Sequence, residues 1–306
     1  MNIINAHNLA CPIDGGRLEL QEKQLVCEKG HVFDVARQGY VNLLPVQHKR
    51  SKHPGDSKEM VLARTRFLNS GNYEPVASKL AEIVLLLMIN SQIINGRIAV
   101  AQKTSDQETC FLDAGCGEGY YFDYIFNVLK DKKCTDKAAC CDLSFVGLDI
   151  SKAAIAEAAK RNKQITWIVG TNRQPPVELA SVDIILCVFG FQNFEGFSSI
   201  LKSGGKVILV EPGPDHLKEL REIIYTKVKR TDPPDLSHVE EMGFSIVGSE
   251  LLQFKTGAIN NEQINNLLLM TPHFYRANKE GREAASNLQE LDLTVDVVFR
   301  ILEKVN

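Results

Sequence analysis

The chain has no long hydrophobic run. Its longest apolar stretch, Ile83 to Ile89, is far too short to cross a bilayer as a helix. The first ten residues, Met1 to Ala10, show no basic region followed by an apolar one, so no targeting signal is expected. Charge of one sign is lacking too: 35 Lys and Arg against 38 Asp and Glu leave a net charge of −3. A strongly basic protein advertises a nucleic-acid partner; if this chain has one, a local basic patch must hold it. The 8 cysteines have no regular disulfide spacing, and in a reducing cytosol they are expected as thiols or metal ligands. No internal repeat is present. These absences leave a soluble, cytoplasmic globular protein. Its 306 residues, 44% hydrophobic, can build one large domain plus a smaller module, or two domains.

Residues 1–45 differ from the rest. They lack helical periodicity and hold Cys11, Cys27 and His31 in tight turns, with a small hairpin at Arg17–Leu20 and Gln24–Cys27. Residues 46–90 form a helical linker region. It opens on the basic run Gln47–Gly55, in which His48, Lys49, Arg50, Lys52 and His53 can steer phosphates or simply be a solvated linker. Asp56 reads as an N-cap with Glu59 as its capping-box partner, and the helix should run to about Leu68 and stop before Gly71. A second helix over Pro75–Ile89 puts Val76, Leu80, Val84 and Met88 on one face.

From residue 91 to 306 strands and helices alternate. Strands are expected at Cys110–Asp113, Phe145–Asp149, Ile165–Val169, Val182–Val188 and Lys206–Glu211, with later ones at Phe244–Phe254 and Leu293–Leu302. Helices fall at Tyr120–Leu129, Lys152–Arg161, Asn193–Leu201, His216–Val228 and Glu262–Met270. This rhythm predicts βαβ units and a mainly parallel sheet, hence the α/β class. The stretches Ser91–Glu108 and Asp131–Leu143 are polar and irregular, and read as surface insertions.

The strongest local signal is Phe111-Leu112-Asp113-Ala114-Gly115-Cys116-Gly117-Glu118-Gly119-Tyr120. An apolar strand ends in an acid, glycine falls at every second position, and a helix begins. Glycine lets the backbone turn sharply and approach a ligand without a Cβ clash. A dinucleotide site would use G-x-G-x-x-G here, with a pyrophosphate at the helix N-terminus. The closer G-x-G-x-G spacing resembles motif I of class I methyltransferases, whose methionine moiety carries no phosphate. A second strand ends in Asp149, whose carboxylate can accept hydrogen bonds from both ribose hydroxyls of an adenosyl group. The other reading is a doubly wound sheet with a glycine turn and no ligand.

Beyond that motif the chain resembles the bacterial 23S rRNA guanine-N1-methyltransferases. The resemblance rests on Gly39–Ser51, Pro54-Gly55-Asp56-Ser57, Arg66-Phe67-Leu68, Asp113–Tyr121, Gly147-Leu148-Asp149, Pro212–Leu217 and Leu269-Met270-Thr271-Pro272. It implies a class I, Rossmann-like fold with a seven-stranded, mostly parallel sheet and a small N-terminal zinc-finger-like module. It implies S-adenosyl-L-methionine (SAM) as cofactor, 23S rRNA as partner, and a homodimer. It carries the family's SAM contacts onto Tyr73, Gly117, Glu118 and His216; Asp113, Gly115, Gly119 and Asp149 join them from the turn itself. By itself Tyr73 reads equally as a packing aromatic. His216 follows a Pro-Gly-Pro turn at the sheet's carboxyl edge, where ligands bind.

Two segments depart from the family. Its zinc module reads C-x-x-C and then C-x-x-x-H, whereas here Asp14 stands where the second thiolate belongs. Zinc accepts carboxylate oxygen, so Cys11, Asp14, Cys27 and His31 can still make a tetrahedral site. The alternative is a relic module held by packing alone. The segment Phe189-Gly190-Phe191-Gln192-Asn193-Phe194, which should face the methyl acceptor, also departs. Methyl transfer needs donor and acceptor in near-attack geometry, and guanine N1 needs a proton acceptor, but no residue of the sequence singles itself out as that base. Two other classes stay open: a methyltransferase of another RNA site or a small molecule, and a non-catalytic SAM or RNA binder. The intact glycine motif favours catalysis.

Overall fold

The computed structural model describes residues 7–48, 51, 54–94, 108–135, 143–228 and 233–305. Lys49, Arg50, Lys52 and His53 of the basic run lie outside them, as does most of the two polar insertions.

Three short strands come first: β1 (Leu18–Gln21), β2 (Gln24–Cys27) and β3 (Val32–Asp34) form an antiparallel sheet of their own. Then follow β4 (Tyr40–Asn42), α1 (Lys58–Asn69), α2 (Glu74–Ile94), β5 (Thr109–Ala114), α3 (Tyr120–Thr135) and β6 (Leu143–Asp149). Next come α4 (Lys152–Arg161), β7 (Thr166–Val169), β8 (Val182–Val188), α5 (Phe194–Ile200), β9 (Leu201–Pro212) and α6 (Lys218–Ile224). The chain closes with β10 (Phe244–Asn260), α7 (Asn261–Met270), α8 (His273–Arg276), α9 (Lys279–Ser286) and β11 (Glu290–Lys304).

The large sheet runs β10-β11-β9-β8-β5-β6-β7-β4. Strands from β9 to β4 are parallel, and β11 enters antiparallel between β9 and β10. This is the class I methyltransferase arrangement. From β5 the chain winds outward through β6 and β7, then returns to β8 on the other side of β5. The strand order reverses there, and side chains at the carboxyl ends of β5 and β8 border a crevice that no crossover covers.

Two sequence expectations need correcting. The sheet has eight strands rather than seven. The extra one, β4, pairs with β7 through Tyr40↔Trp167, Val41↔Ile168 and Asn42↔Val169. A three-residue strand has no readable alternation, and its partner lies far along the chain. The N-cap of α1 is Ser57, whose hydroxyl accepts from the Met60 N–H at 3.3 Å, so Asp56 and Glu59 form no capping box. Asp56 instead pairs with Arg64 at 2.6 Å, an ion pair that outcompetes a cap made by the same carboxylate.

Both faces of the sheet carry an apolar layer, as parallel sheets require. Trp167, fully buried, anchors one of them and donates its indole N–H to the Asn162 carbonyl at 2.7 Å. A Cβ on Gly119 would stand 2.7 Å from the Trp167 ring, so this glycine is required by packing as well as by its φ of +84°. Helix α4 turns Ala154, Ile155, Ala158 and Ala159 inward, and its small residues let it lie close against the glycine turn. Among the described residues no helix is long and apolar enough to cross a membrane.

Candidate functional site

The carboxyl ends of β5, β6, β8 and β9 open into one cleft of about 1590 Å3. Tyr73, Asp113, Gly115, Gly117, Glu118, Asp149 and His216 all line it, although they come from four separate stretches of chain. Gly119 does not; its place is under the turn, against Trp167.

The turn after β5 is clipped to the end of β6. The Gly117 N–H donates to Asp149 Oδ2 at 2.9 Å, and the Ser151 N–H donates to Asp149 Oδ1 at 2.7 Å. Each oxygen has a second lone pair, so the carboxylate can still take two hydroxyl donors. Gly117 has a φ of +57°, which puts its amide in position to reach Asp149 and leaves its Cα bare toward the cleft.

Acid is concentrated here. Asp113 and Glu118 are each only 1% exposed, and Asp113 Oδ1 and Glu118 Oε1 have no hydrogen-bond partner. Burial, then the neighbouring Asp149 and Glu118 charges, push the Asp113 carboxyl well above the usual carboxylate range. Burial also raises Glu118, against an opposing ion pair with Arg161 at 2.7 Å. Desolvation likewise raises Asp149, offset by its two backbone donors. Buried acceptors without donors are rare in native folds and mark a place where a donor or cation belongs. SAM carries a sulfonium, an ammonium and two ribose hydroxyls, so its chemistry fits this donor-poor, acid-rich cradle.

On the far side of the cleft, Tyr73 Oη and His216 Nε2 meet at 3.2 Å, and His216 Nδ1 lies 2.9 Å from the Asp296 carbonyl oxygen. Phe189, at the end of β8, packs its ring against both, with centroids 6.5 Å from Tyr73 and 5.8 Å from His216. Its φ of +50° is unusual for a bulky residue and costs backbone strain.

The second cluster lies on the N-terminal sheet. Ligand atoms of Cys11, Asp14, Cys27 and His31 all fall within 4.8 Å of one another. His31 Nδ1 stands 3.1 Å from Asp14 Oδ2, 3.3 Å from Cys27 Sγ and 3.6 Å from Cys11 Sγ. Bonds of the usual zinc length place tetrahedral ligand atoms roughly 3.3–3.8 Å apart, so the four fit one ion. Asp14 keeps its aim by accepting the Gly16 N–H on Oδ1 at 2.9 Å, which leaves Oδ2 toward the cluster. That bond is also the main reason its carboxyl is held down to about 2.

The comparisons with known proteins follow both halves of this arrangement. A zinc-ribbon family model described as "RlmA, N-terminal" matches residues 9–52, and a methyltransferase-domain model matches residues 111–207. YxjB of Bacillus subtilis (strain 168), whose name places it with the 23S rRNA (guanine-N(1)-)-methyltransferases, is 29% identical over 94% of this chain and 94% of its own length. The 23S rRNA (guanine(748)-N(1))-methyltransferase of Streptomyces fradiae is 28% identical over 96% of this chain and 95% of its own. A Micromonospora griseorubida protein assigned by name to the same activity is 30% identical over 70% of this chain and 68% of its own. The chain belongs to the 23S rRNA guanine-N1-methyltransferase family. As a member it is an enzyme that uses SAM, and its N-terminal sheet is a zinc ribbon with an altered ligand set.

Several residues that line or support this methyltransferase's cleft had no signal in the sequence. Arg64 reaches over the turn: a Cβ on Gly117 would lie 3.5 Å from its Nη1, and its Nη2 donates to the Met270 carbonyl at 3.3 Å. Arg161 closes α4 as an ordinary helix-terminal cation in sequence, yet it neutralises Glu118. The positive φ of Phe189, the Asn172 side chain donating to the Phe191 carbonyl and the packing of Gln192 on Glu211 fix the shape of the loop after β8.

Proposed function

We propose that this enzyme transfers the methyl group of SAM to N1 of a guanine in 23S rRNA. The observation that carries the reading is family membership over nearly the whole chain, ribbon and catalytic domain together, combined with the Gly117–Asp149 clip at the switch point. SAM supplies an electrophilic methyl group on a positively charged sulfur. In this reading Asp149 holds the ribose hydroxyls, and Asp113 and Glu118 supply negative potential. Gly115 and Gly117 keep the backbone bare beneath the cofactor, Gly119 supports the turn from below, and Tyr73 and His216 wall its far side. N1 lies on the Watson–Crick edge, so the target guanine has to be unpaired or flipped outward. The stretches 1–45, 46–90 and 91–306 act as metal-braced module, helical connection and catalytic domain, with β4 strapping the first to the last. The basic run around Lys49, Arg50 and Lys52 steers rRNA phosphates, and the functional unit is a homodimer working in the cytoplasm.

The test is direct. Purified protein, SAM and an unmodified 23S rRNA transcript are incubated, and the digested nucleosides are analysed by mass spectrometry. New N1-methylguanosine supports the proposal. Methylation of a different nucleoside, or SAM binding without any transfer, would replace it. Light scattering of the same preparation reads the oligomeric state.

A further inference from the structure

The geometry points to Glu211, held by Gln192, as the group that recognises the guanine edge and takes the N1 proton. This rests on the guanine-N1 reading above.

Glu211 ends β9 beside the last residues of β8, where the Phe189 N–H donates to the Val210 carbonyl at 2.8 Å. It lines the cleft together with Gln192, and the loop that carries Gln192 touches the cofactor turn: a Cβ on Gly115 would lie 3.7 Å from the Gly190 Cα. Glu211 is 4% exposed. Gln192 Nε2 donates to its Oε1 at 2.7 Å, while Oε2 has no hydrogen-bond partner and faces Arg300 Nε at 3.5 Å. Arg300 is itself fixed by donating from Nη1 to the Pro234 carbonyl at 2.6 Å. A buried carboxylate is costly, and Glu211 offsets that cost with the Arg300 charge beside Oε2 and one Gln192 donor on Oε1, which keeps a second lone pair for a donor from the cleft.

Glu211 is paired with Arg300, but the other carboxylates lining the cleft lie at the cofactor turn or beside it. Asp56 pairs with Arg64, Glu118 pairs with Arg161, Asp149 takes two backbone N–H groups, and Asp113 lies beneath the glycines at the end of β5. Glu211 alone among them stands on the acceptor-loop side.

Guanine presents N1–H and N2–H donors next to the O6 acceptor. A carboxylate oxygen has two lone pairs and a side-chain amide two N–H groups. Glu211 Oε1 therefore accepts N1–H while keeping its bond from Gln192, and the second Gln192 N–H is left for O6. Adenine offers an acceptor at N1 and a donor at its amino group, the reverse pattern, so the pair also discriminates. Phe191, 68% exposed on the same loop, provides a face on which an extruded base can stack.

The step balances. The N1–H bond breaks and its proton goes to Glu211 Oε1. The N1 electron pair forms the bond to the methyl carbon, and the carbon–sulfur bond breaks with its pair going to sulfur. The sulfonium charge is thereby lost as a proton, which Glu211 passes to water.

Single-turnover methylation of an unmodified 23S rRNA transcript is measured for wild type, Glu211→Gln and Gln192→Ala from pH 6 to 9.5, with SAM binding by calorimetry. Glu211→Gln should slow transfer at least ~100-fold near neutral pH, the ordinary scale of a lost general base. Its SAM affinity should stay within about twofold, and its deficit should shrink as rising pH ionises guanine N1 without help. Gln192→Ala should lose less rate and weaken selection of guanine over adenine in model RNAs. A Glu211→Gln rate within about threefold of wild type overturns the assignment, as does a deficit that is constant with pH or matched by lost SAM binding. Wild type that makes no N1-methylguanosine overturns the underlying function, and Glu211 falls with it.

Discussion

Tyr73 and His216 lie 143 residues apart in the chain and meet with Oη and Nε2 3.2 Å from each other. The contact joins the start of α2 to the loop before α6 across the mouth of the cleft. Its polarity is set from behind. His216 Nδ1 stands 2.9 Å from the Asp296 carbonyl oxygen and 3.3 Å from the Asp296 amide nitrogen; the tautomer that donates along the shorter contact leaves Nε2 to accept the Tyr73 hydroxyl. Burial favours neutral forms on both sides: it pushes the Tyr73 phenol up and the His216 imidazole down to about 4.

That shift has a consequence for acid stability. The unfolded chain protonates His216 near its ordinary 6.5, whereas the folded chain resists until about 4. Between those values the unfolded state binds more protons, so stability falls as pH drops through the window and levels off below it. His273 adds to the effect, since burial lowers it to about 4 as well. Each pH unit of separation corresponds to about 1.4 kcal/mol at most. Melting temperatures at pH 7 and pH 4.5 should differ less in His216→Gln than in wild type, and an equal loss in both would contradict the argument.

The glycines of the turn should separate by role. Gly119→Ala drives a Cβ into Trp167 at a φ of +84°, so it should cost several kcal/mol of stability and broaden the thermal transition. Gly117→Ala meets nothing closer than the Arg64 guanidinium at 3.5 Å but is strained by its φ of +57°, and the new methyl projects into the cleft. It should cost about 1–2 kcal/mol of stability and weaken SAM binding more than that strain accounts for. Calorimetry and thermal melts on both variants check the division, with Asp149→Ala as the companion that deletes the ribose acceptor while leaving the turn's glycines.

Removing Arg161 should be more damaging than its position at a helix end suggests. It leaves Glu118, 1% exposed, as a buried acid without its hydrogen-bonded cation, with only the weaker influence of Arg64 remaining. Breaking such a pair costs about 3–5 kcal/mol, whereas a solvent-exposed pair would cost below about 1. Arg161→Ala should therefore lower the urea midpoint strongly at pH 7. The loss should diminish in Arg161→Ala/Glu118→Gln, where no charge remains to be buried.

The ribbon's ligand set can be read by metal content. Zinc should co-purify with wild type at reduced affinity, because Asp14 offers a hard oxygen in place of a thiolate. Asp14→Cys should tighten binding and raise the melting temperature when zinc is present. Asp14→Ala should lose the metal. If wild type and Asp14→Cys both emerge metal-free without chelator, Cys11, Cys27 and His31 are held by packing alone.

Much of this molecule was legible in sequence because it is written in local spacing. Val182–Val188 and Lys152–Arg161 occupy the residues expected of them, since an uninterrupted apolar run and a one-faced stretch of alanines each have a single good solution. The turn Gly115–Gly119 and the second acid Asp149 were visible for the same reason, because the chemistry dictates residue type at short range; Cys11, Asp14, Cys27 and His31 were marked as a set by the family resemblance, and the fold brings their ligand atoms together. What the sequence could not decide was which distant partners meet. Tyr40–Asn42 becomes a strand only because Trp167–Val169 offers it an open edge. Asp56 leaves the cap to Ser57 because Arg64, about two helical turns on, comes within 2.6 Å of its carboxylate. Arg161 finds Glu118, Tyr73 finds His216, and Gln192 finds Glu211 only after the sheet has reversed its order between β5 and β8. Pairings of that kind depend on the whole chain's packing, and no window of residues around either partner contains them.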